Sequence, residues 1–78
     1  MGYKTYVRVK AEFDEDGHVI PTDIIWKDDR TFPIDRVLDV RRAASTKAGG
    51  LGLRYTVRIN NHERYLFYED PRWFVETK

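Results

Sequence analysis

Three strand-like runs follow one another at the C-terminal end of the chain with barely a turn between them. They are Leu53 to Ile59, Tyr65 to Tyr68, and Trp73 to Val75. In the first, apolar residues alternate with Arg54, Thr56 and Arg58. A period of two marks a strand with one buried and one wet face. Tyr, Thr, Val and Ile all suit a pleated surface. The turn at Asn60-Asn61-His62 leaves two registers. A two-residue turn would set Ile59 against His62 and Val57 against Arg64. A three-residue loop would set Val57 against Tyr65 and Tyr55 against Phe67, gathering aromatic and β-branched side chains on one face. The second is the expected register on that ground. Asp70-Pro71 fits a type I turn, with Asp first and Pro second.

The N-terminal part repeats the pattern. Tyr3, Thr5, Val7, Val9, Ala11 and Phe13 alternate with polar or charged neighbours, which predicts one long strand. Asp14-Glu15-Asp16-Gly17 is a turn in which Gly17 can take positive φ. Its carboxylates lack the spacing and the distal Glu of a calcium loop, so no metal site is expected. Pro21 cannot donate to a ladder and belongs at a strand start or an edge. Asp28-Asp29 separates two apolar runs at hairpin spacing, which would set Ile25 against Phe32 and Trp26 against Thr31. Both faces of 24–34 then carry apolar groups, and one of them must be covered by a loop, a strand or a partner. Asp35 to Ala44 reads either as a helix capped by Asp35 or as a strand. The helical apolar stripe is thin, so the strand is preferred, with Leu38 and Val40 inward and Asp39 and Arg41 outward. Ser45 to Gly52 holds three glycines and is the longest loop.

Six to seven short antiparallel strands with turns every 8–12 residues indicate an all-β fold. The chain, residues 1–78, is expected to form a single domain, a strongly bent SH3-like or OB-like barrel. Closure hides strand edges in a chain too short for two full sheets. There is no cysteine, hence no disulfide or thiolate metal site, which fits a reducing, cytoplasmic setting. No apolar run is long enough for a signal peptide or membrane span. The Met1-Gly2 start has Tyr6 where a myristoylation signal needs Ser or Thr.

Catalytic groups are scarce. Ser45 is the only serine and sits in the loop without a nucleophile elbow. His18 and His62 fall at turns without a visible partner. Gly49-Gly50-Leu51-Gly52 lacks the Lys-Ser/Thr ending of a phosphate loop and precedes a strand. The expectation is therefore a chain that is not an enzyme and needs no cofactor.

Charge says more. The net charge is +1, but residues 12–39 carry −6 and residues 40–62 carry +5 with no acid among them. The basic stretch supplies Arg41, Arg42, Lys47, Arg54 and Arg58. Cations that follow phosphates beside aromatic faces that stack bases are how barrels of this size hold single strands. Tyr6, Tyr68 and Trp73 are the aromatic candidates beside them. The plainer reading is the polar face that any half-buried sheet needs. Two functions follow as expectations. The first is a non-catalytic module whose partner is another protein. The alternative is a barrel that binds single-stranded DNA or RNA through those five residues.

A resemblance adds context. Ile24-Ile25-Trp26, Ile34-Asp35-x-Val37-Leu38-Asp39-Val40-Arg41, Tyr55-x-Val57-Arg58, Tyr65-x-Phe67 and the closing Arg72-Trp73-Phe74-Val75-Glu76 form one pattern of positions. The pattern, over residues 6–77, resembles a family of short uncharacterised bacterial β-rich proteins with a Trp-ended second strand and an Arg-Trp-Phe ending. The family has no established activity to assign to any residue. Some members are encoded near translesion DNA polymerases, so the resemblance implies an accessory role around DNA repair or replication.

Overall fold

Strand β1 runs from Tyr3 to Phe13, within the bounds that its alternation predicts. In the computed structural model, which describes residues 3–42, 52–69 and 71–77, it is followed by six more strands. These are β2 (Val19–Ile25), β3 (Thr31–Pro33), β4 (Arg36–Arg42), β5 (Gly52–Ile59), β6 (His62–Glu69) and β7 (Arg72–Thr77). All pair antiparallel in one sheet of order β3-β2-β1-β7-β6-β5-β4. The sheet is a strongly curled half-barrel, as the all-β reading requires, and the stretch from Arg36 to Arg42 is a strand and not a helix.

Connectivity explains the curl. The two edge strands, β3 and β4, are consecutive in the chain, with only Ile34 and Asp35 between them. Three peptide units reach about 11 Å at most. A sheet of seven strands joined edge to edge by so short a link cannot lie flat. The link is also fastened on both sides. Ile34 N–H donates to the Thr22 carbonyl at 2.9 Å, and Asp35 N–H donates to the Arg58 carbonyl at 2.8 Å. The Asp35 carboxylate accepts from Asn60 N–H at 3.1 Å.

The core lies on the concave face. Ile24, Tyr55, Val57, Leu66 and Trp73 form its buried cluster. Tyr55 reaches across the half-barrel and donates its hydroxyl to the Val19 carbonyl on β2. Burial, and then the neighbouring Tyr68, raise the pKa of that phenol. Each buried apolar side chain contributes roughly 1.5–3 kcal/mol.

Two registers differ from those expected. Ile59 faces His62 and Val57 faces Arg64, so the β5–β6 turn has two residues, not three. Asn60 and Asn61 both take positive φ, 50° and 64°. That is the type I′ geometry whose twist matches the flanking strands. The pairing of Asn60 N–H with Asp35 holds it in place. One residue of slip turns a whole strand over. Tyr65 and Phe67 consequently leave the core face that Tyr55 and Val57 occupy. In the β2–β3 hairpin, Ile24 faces Phe32 and Ile25 faces Thr31. Trp26 N–H donates to the Arg30 carbonyl, Asp29 N–H donates to the Trp26 carbonyl, and Asp29 stands at φ 64°. The loop therefore holds Lys27 to Asp29 rather than two aspartates alone.

Two bulges also escape the alternation rule. Lys10 pairs with Asp23 and Ala11 with Pro21, which leaves Thr22 as an extra residue. Pro21 lies inside β2, but beyond the last residue that β3 pairs, so its missing N–H breaks no ladder there. On β4, Val37 pairs with Val57 and Asp39 with Thr56, so Leu38 is the extra residue; Leu38 and Val40, both expected inward, are 38% and 47% exposed at this sheet edge. Gly17 does take positive φ, 84°. The glycine-rich loop expected at 45–52 lies outside the described residues except for Gly52, which begins β5.

The Asn60-Asn61 turn makes a sharp test of this register. Asn61→Gly should raise stability by a few tenths of a kcal/mol, and Asn61→Val should lower it by about 1–2 kcal/mol, because a β-branched residue resists positive φ. Urea midpoints of the two variants would move in opposite directions. Equal midpoints would mean that the turn is not type I′ in solution.

Candidate nucleic-acid interface

The two-residue turn builds a second, convex surface. With Tyr55 and Val57 turned to the core, Arg54, Thr56 and Arg58 face outward on β5, and Tyr65 and Phe67 face outward beside them on β6. The registers then align one row across five strands. Tyr6 on β1 pairs with Phe74 on β7, Phe74 with Phe67 on β6, Phe67 with Arg54 on β5, and Arg54 with Arg41 on β4. Three aromatic rings thus run into two guanidinium groups in a continuous line.

Ring geometry is specific along this line. Phe67 and Phe74 stack with centroids 4.8 Å apart and planes 3° from parallel. Tyr6 meets Phe74 edge-on at 5.7 Å. Cations lie over the rings. The Arg72 guanidinium is 4.3 Å from the Tyr6 centroid, Lys4 Nζ is 4.7 Å from that of Phe74, and Arg54 is 4.8 Å from that of Tyr65. Such contacts are worth about 0.5–1 kcal/mol at exposed sites. Tyr6 and Tyr65 are 40% and 54% exposed, so both rings can be reached from solvent.

The β4–β5 end of this face is strongly basic. Its outward positions hold Arg36, Arg41, Arg54 and Arg58 against one acid, Asp39. Arg41 stands directly opposite Arg54, and Arg36 directly opposite Arg58. Like charges at directly opposed positions destabilise a sheet. Arg41 is relieved by Asp39, 2.7 Å from its Nε. Among the described residues, Arg36, Arg54 and Arg58 have no ion pair. Arg54 Nε is buried with no hydrogen-bond acceptor among them. A buried donor left so costs about 1–3 kcal/mol. With Glu63 on β6 directly opposite Arg58, this corner of the face carries four arginines against two carboxylates, Asp39 and Glu63.

The basic residues singled out in the sequence separate as follows. Arg41, Arg54 and Arg58 share the convex face. Arg42 pairs with Leu53, a core-face position, and points away from them at the sheet edge. Lys47 lies outside the described residues. Of the aromatic candidates only Tyr6 is on the convex face; Tyr68 and Trp73 pack ring to ring at 4.4 Å on the core side. Lys4 and Arg72 complete the surface with Tyr65 and Phe67, which the assumed register had turned inward, and Phe74 lies buried beneath them. The signal that could have found them was the Asn-Asn pair itself.

Elsewhere the chemistry is sparse. Among the described residues no charged side chain is buried. Asp14, Asp16 and His18 bring three donor atoms within 4.8 Å of one another, all exposed. The Asp14 carboxylate is already engaged, accepting from the N–H groups of His18 at 2.8 Å and Asp16 at 2.9 Å, with His18 Nδ1 2.8 Å away. The main-chain bond from His18, opposed by partial desolvation and aided by the His18 ring, holds its pKa below the ordinary value. This is a self-satisfied turn. No helix among the described residues is long and apolar enough to cross a membrane. No family model matches the chain, and no curated protein or solved structure matches it significantly.

Proposed function

We propose that this chain is a non-catalytic binding module that holds single-stranded nucleic acid on the convex face of its half-barrel. The observation that carries this reading is the cross-strand row Tyr6–Phe74–Phe67–Arg54–Arg41, flanked by Tyr65 and by the unpaired Arg36 and Arg58. The exposed rings of Tyr6 and Tyr65 are the ones open to bases, which stack without sequence preference at about 1–3 kcal/mol each, while Phe74, 5% exposed, backs them. The arginines at the β4–β5 end follow the phosphates, and a bound polyanion would relieve the repulsion between the opposed pairs. The near-neutral whole chain is no obstacle, since its charge is concentrated locally on this face. A reducing cytoplasm, which the absence of cysteine fits, and the accessory role around DNA repair or replication that the resemblance implies accord with this reading.

A titration of a labelled oligothymidylate and of a duplex of equal length tests it. The single strand should bind more tightly, because a duplex offers no free base face to stack. Its log affinity should fall linearly with log salt, by about 0.7 for each phosphate neutralised. Absence of binding even at low salt, or a preference for the duplex, would reject the proposal.

A further inference from the structure

Given the nucleic-acid reading on which this rests, we infer that the cavity beside Tyr65 is a pocket for one guanine base of the bound strand. Phe67–Phe74 is the last pair that joins β6 to β7, although β6 reaches back to His62 and β7 on to Thr77. The strands part there, and between them and the β2–β3 hairpin lies a cavity of about 660 Å³. That is within the size range of ligand sites. Its apolar walls are Ile24, Trp26 and Phe32 from the β2–β3 hairpin, Ile59 from β5 and Val75 from β7. Tyr65 stands at its edge and also belongs to the convex face, where its ring lies 4.8 Å from the Arg54 guanidinium. The cavity thus adjoins the surface that holds the strand. A nucleotide next to one stacked on Tyr65 can turn its base inward, as single strands do when their bases are splayed onto aromatic side chains. Trp26 and Phe32 supply those aromatic faces inside.

The charged groups at the cavity balance, Arg30 and Arg64 against Glu63 and Glu76. A site for a simple ion would show one sign, whereas a neutral base with an accepting edge and a donating edge needs both. The Arg30 guanidinium is held in place, its Nε donating to the Asp28 carboxylate at 2.6 Å and its centre 5.9 Å from the Phe32 ring. That leaves its terminal nitrogens for two adjacent acceptors. Glu63 and Glu76 stand across their ladders from Arg58 and Lys4. Among the described residues neither carboxylate forms an ion pair, so both remain acceptors. Arg64, whose Nη1 donates to the Glu63 carbonyl at 3.1 Å, supplies the cation for the phosphate of the turned nucleotide.

Guanine is the base that answers both groups. Its O6 and N7 accept together from one guanidinium, and its N1–H and N2 amino group donate together to one carboxylate. Adenine presents an amino donor where guanine presents O6, and the pyrimidines lack N7. No other base therefore meets an arginine and a glutamate with two bonds each. The row on the convex face stays tolerant of sequence, and selection is confined to the one base that enters the cavity.

The probe is a labelled oligothymidylate with one central deoxyguanosine, titrated by fluorescence anisotropy beside the all-thymidine strand of equal length. The strand can slide, so the guanine reaches the cavity without a known register. It should bind about tenfold more tightly or better, the discrimination that one good bidentate pair gives. Deoxyadenosine at the same place should give little of this gain, which separates recognition from the stronger stacking of a purine. The 7-deaza analogue removes N7 and deoxyinosine removes the N2 amino group, and each should forfeit most of the gain. Arg30→Gln should bring the two strands to nearly equal affinity; its side chain is 70% exposed, so the variant should fold, which circular dichroism checks. Equal affinity of the two strands for the parent protein, or a gain that adenine or both analogues reproduce, would overturn the inference while the proposed function stands. If neither strand binds, both fall.

Discussion

Leu66→Ala is expected to lower the unfolding free energy by about 3 kcal/mol, within the 2–5 kcal/mol that such truncations cost in well-packed cores. Leu66 is completely buried on β6, directly opposite Tyr55. It lies one residue from the last β6–β7 pair. The ladder holds the backbone on the β5 side, so the space left by the side chain should collapse only in part. Small domains have about 5–15 kcal/mol of stability in all, and a chain of this size sits toward the low end. The variant should lose a large share of it, with a melting temperature lower by roughly 12–20 °C. Val57→Ala, which removes less volume from an equally buried site, should cost less. Urea denaturation of both variants checks the order. A loss under about 1 kcal/mol for Leu66→Ala would mean that this part of the core is not packed as described.

The second large effect is on binding. Arg54→Ala plus Arg58→Ala should reduce oligothymidylate affinity by about one to two orders of magnitude at low salt. It should also flatten the salt slope by about 1.4, the equivalent of two phosphate contacts on a single strand. Stability should change little or rise, because each substitution removes one member of a directly opposed arginine pair. Arg54→Ala also removes the buried unpartnered Nε. A slope change separates electrostatic contact from general disruption. Tyr65→Ala makes the contrast, since loss of a stacking face should weaken binding without altering the slope. If the double variant binds as the parent does, the convex arginines are only the polar side of a sheet.

Much of this architecture was legible because the backbone was left to ordinary alternation. β1 reads directly from its alternation, with Val7, Val9 and Ala11 packed on the core as expected and Phe13 72% exposed against expectation, and β5 from four inward positions. The strand at 36–42 was legible by elimination, since its helical stripe was too thin. The basic half of the convex surface was legible, since Arg41, Arg54 and Arg58 share it as expected; its aromatic half was not, and the reason is one turn. The expected three-residue loop put Tyr65 and Phe67 into the core on the argument that aromatics belong together. They are together, but on the other side, since Asn60 and Asn61 both adopt positive φ without glycine. The Asp28-Asp29 loop failed in the same way, with Asp29 in the conformation usually left to glycine. The bulges at Thr22 and Leu38 depend on what the neighbouring strand presents, which no local pattern carries. Arg42 shows the limit of charge reading, because a run of bases in sequence alternates between faces once it becomes a strand.

The link at Ile34-Asp35 bears on how the chain assembles. β1 to β3 and β4 to β7 are two meanders, each built from hairpins whose partners are near neighbours in sequence. Only the β1–β7 ladder joins strands from opposite ends of the chain, with Tyr3 against Thr77. Local hairpins form in microseconds, whereas a contact of such sequence separation must first meet the entropy of closing a long loop. The short link lowers that entropy once both meanders exist, because the edge strands are already tethered. Its bond to Thr22 extends the β2–β3 ladder and its bond to Arg58 extends the β4–β5 ladder, so each forms with its own meander. The same two residues that bend the sheet thus hand each meander to the other at a fixed edge before the distant ends meet.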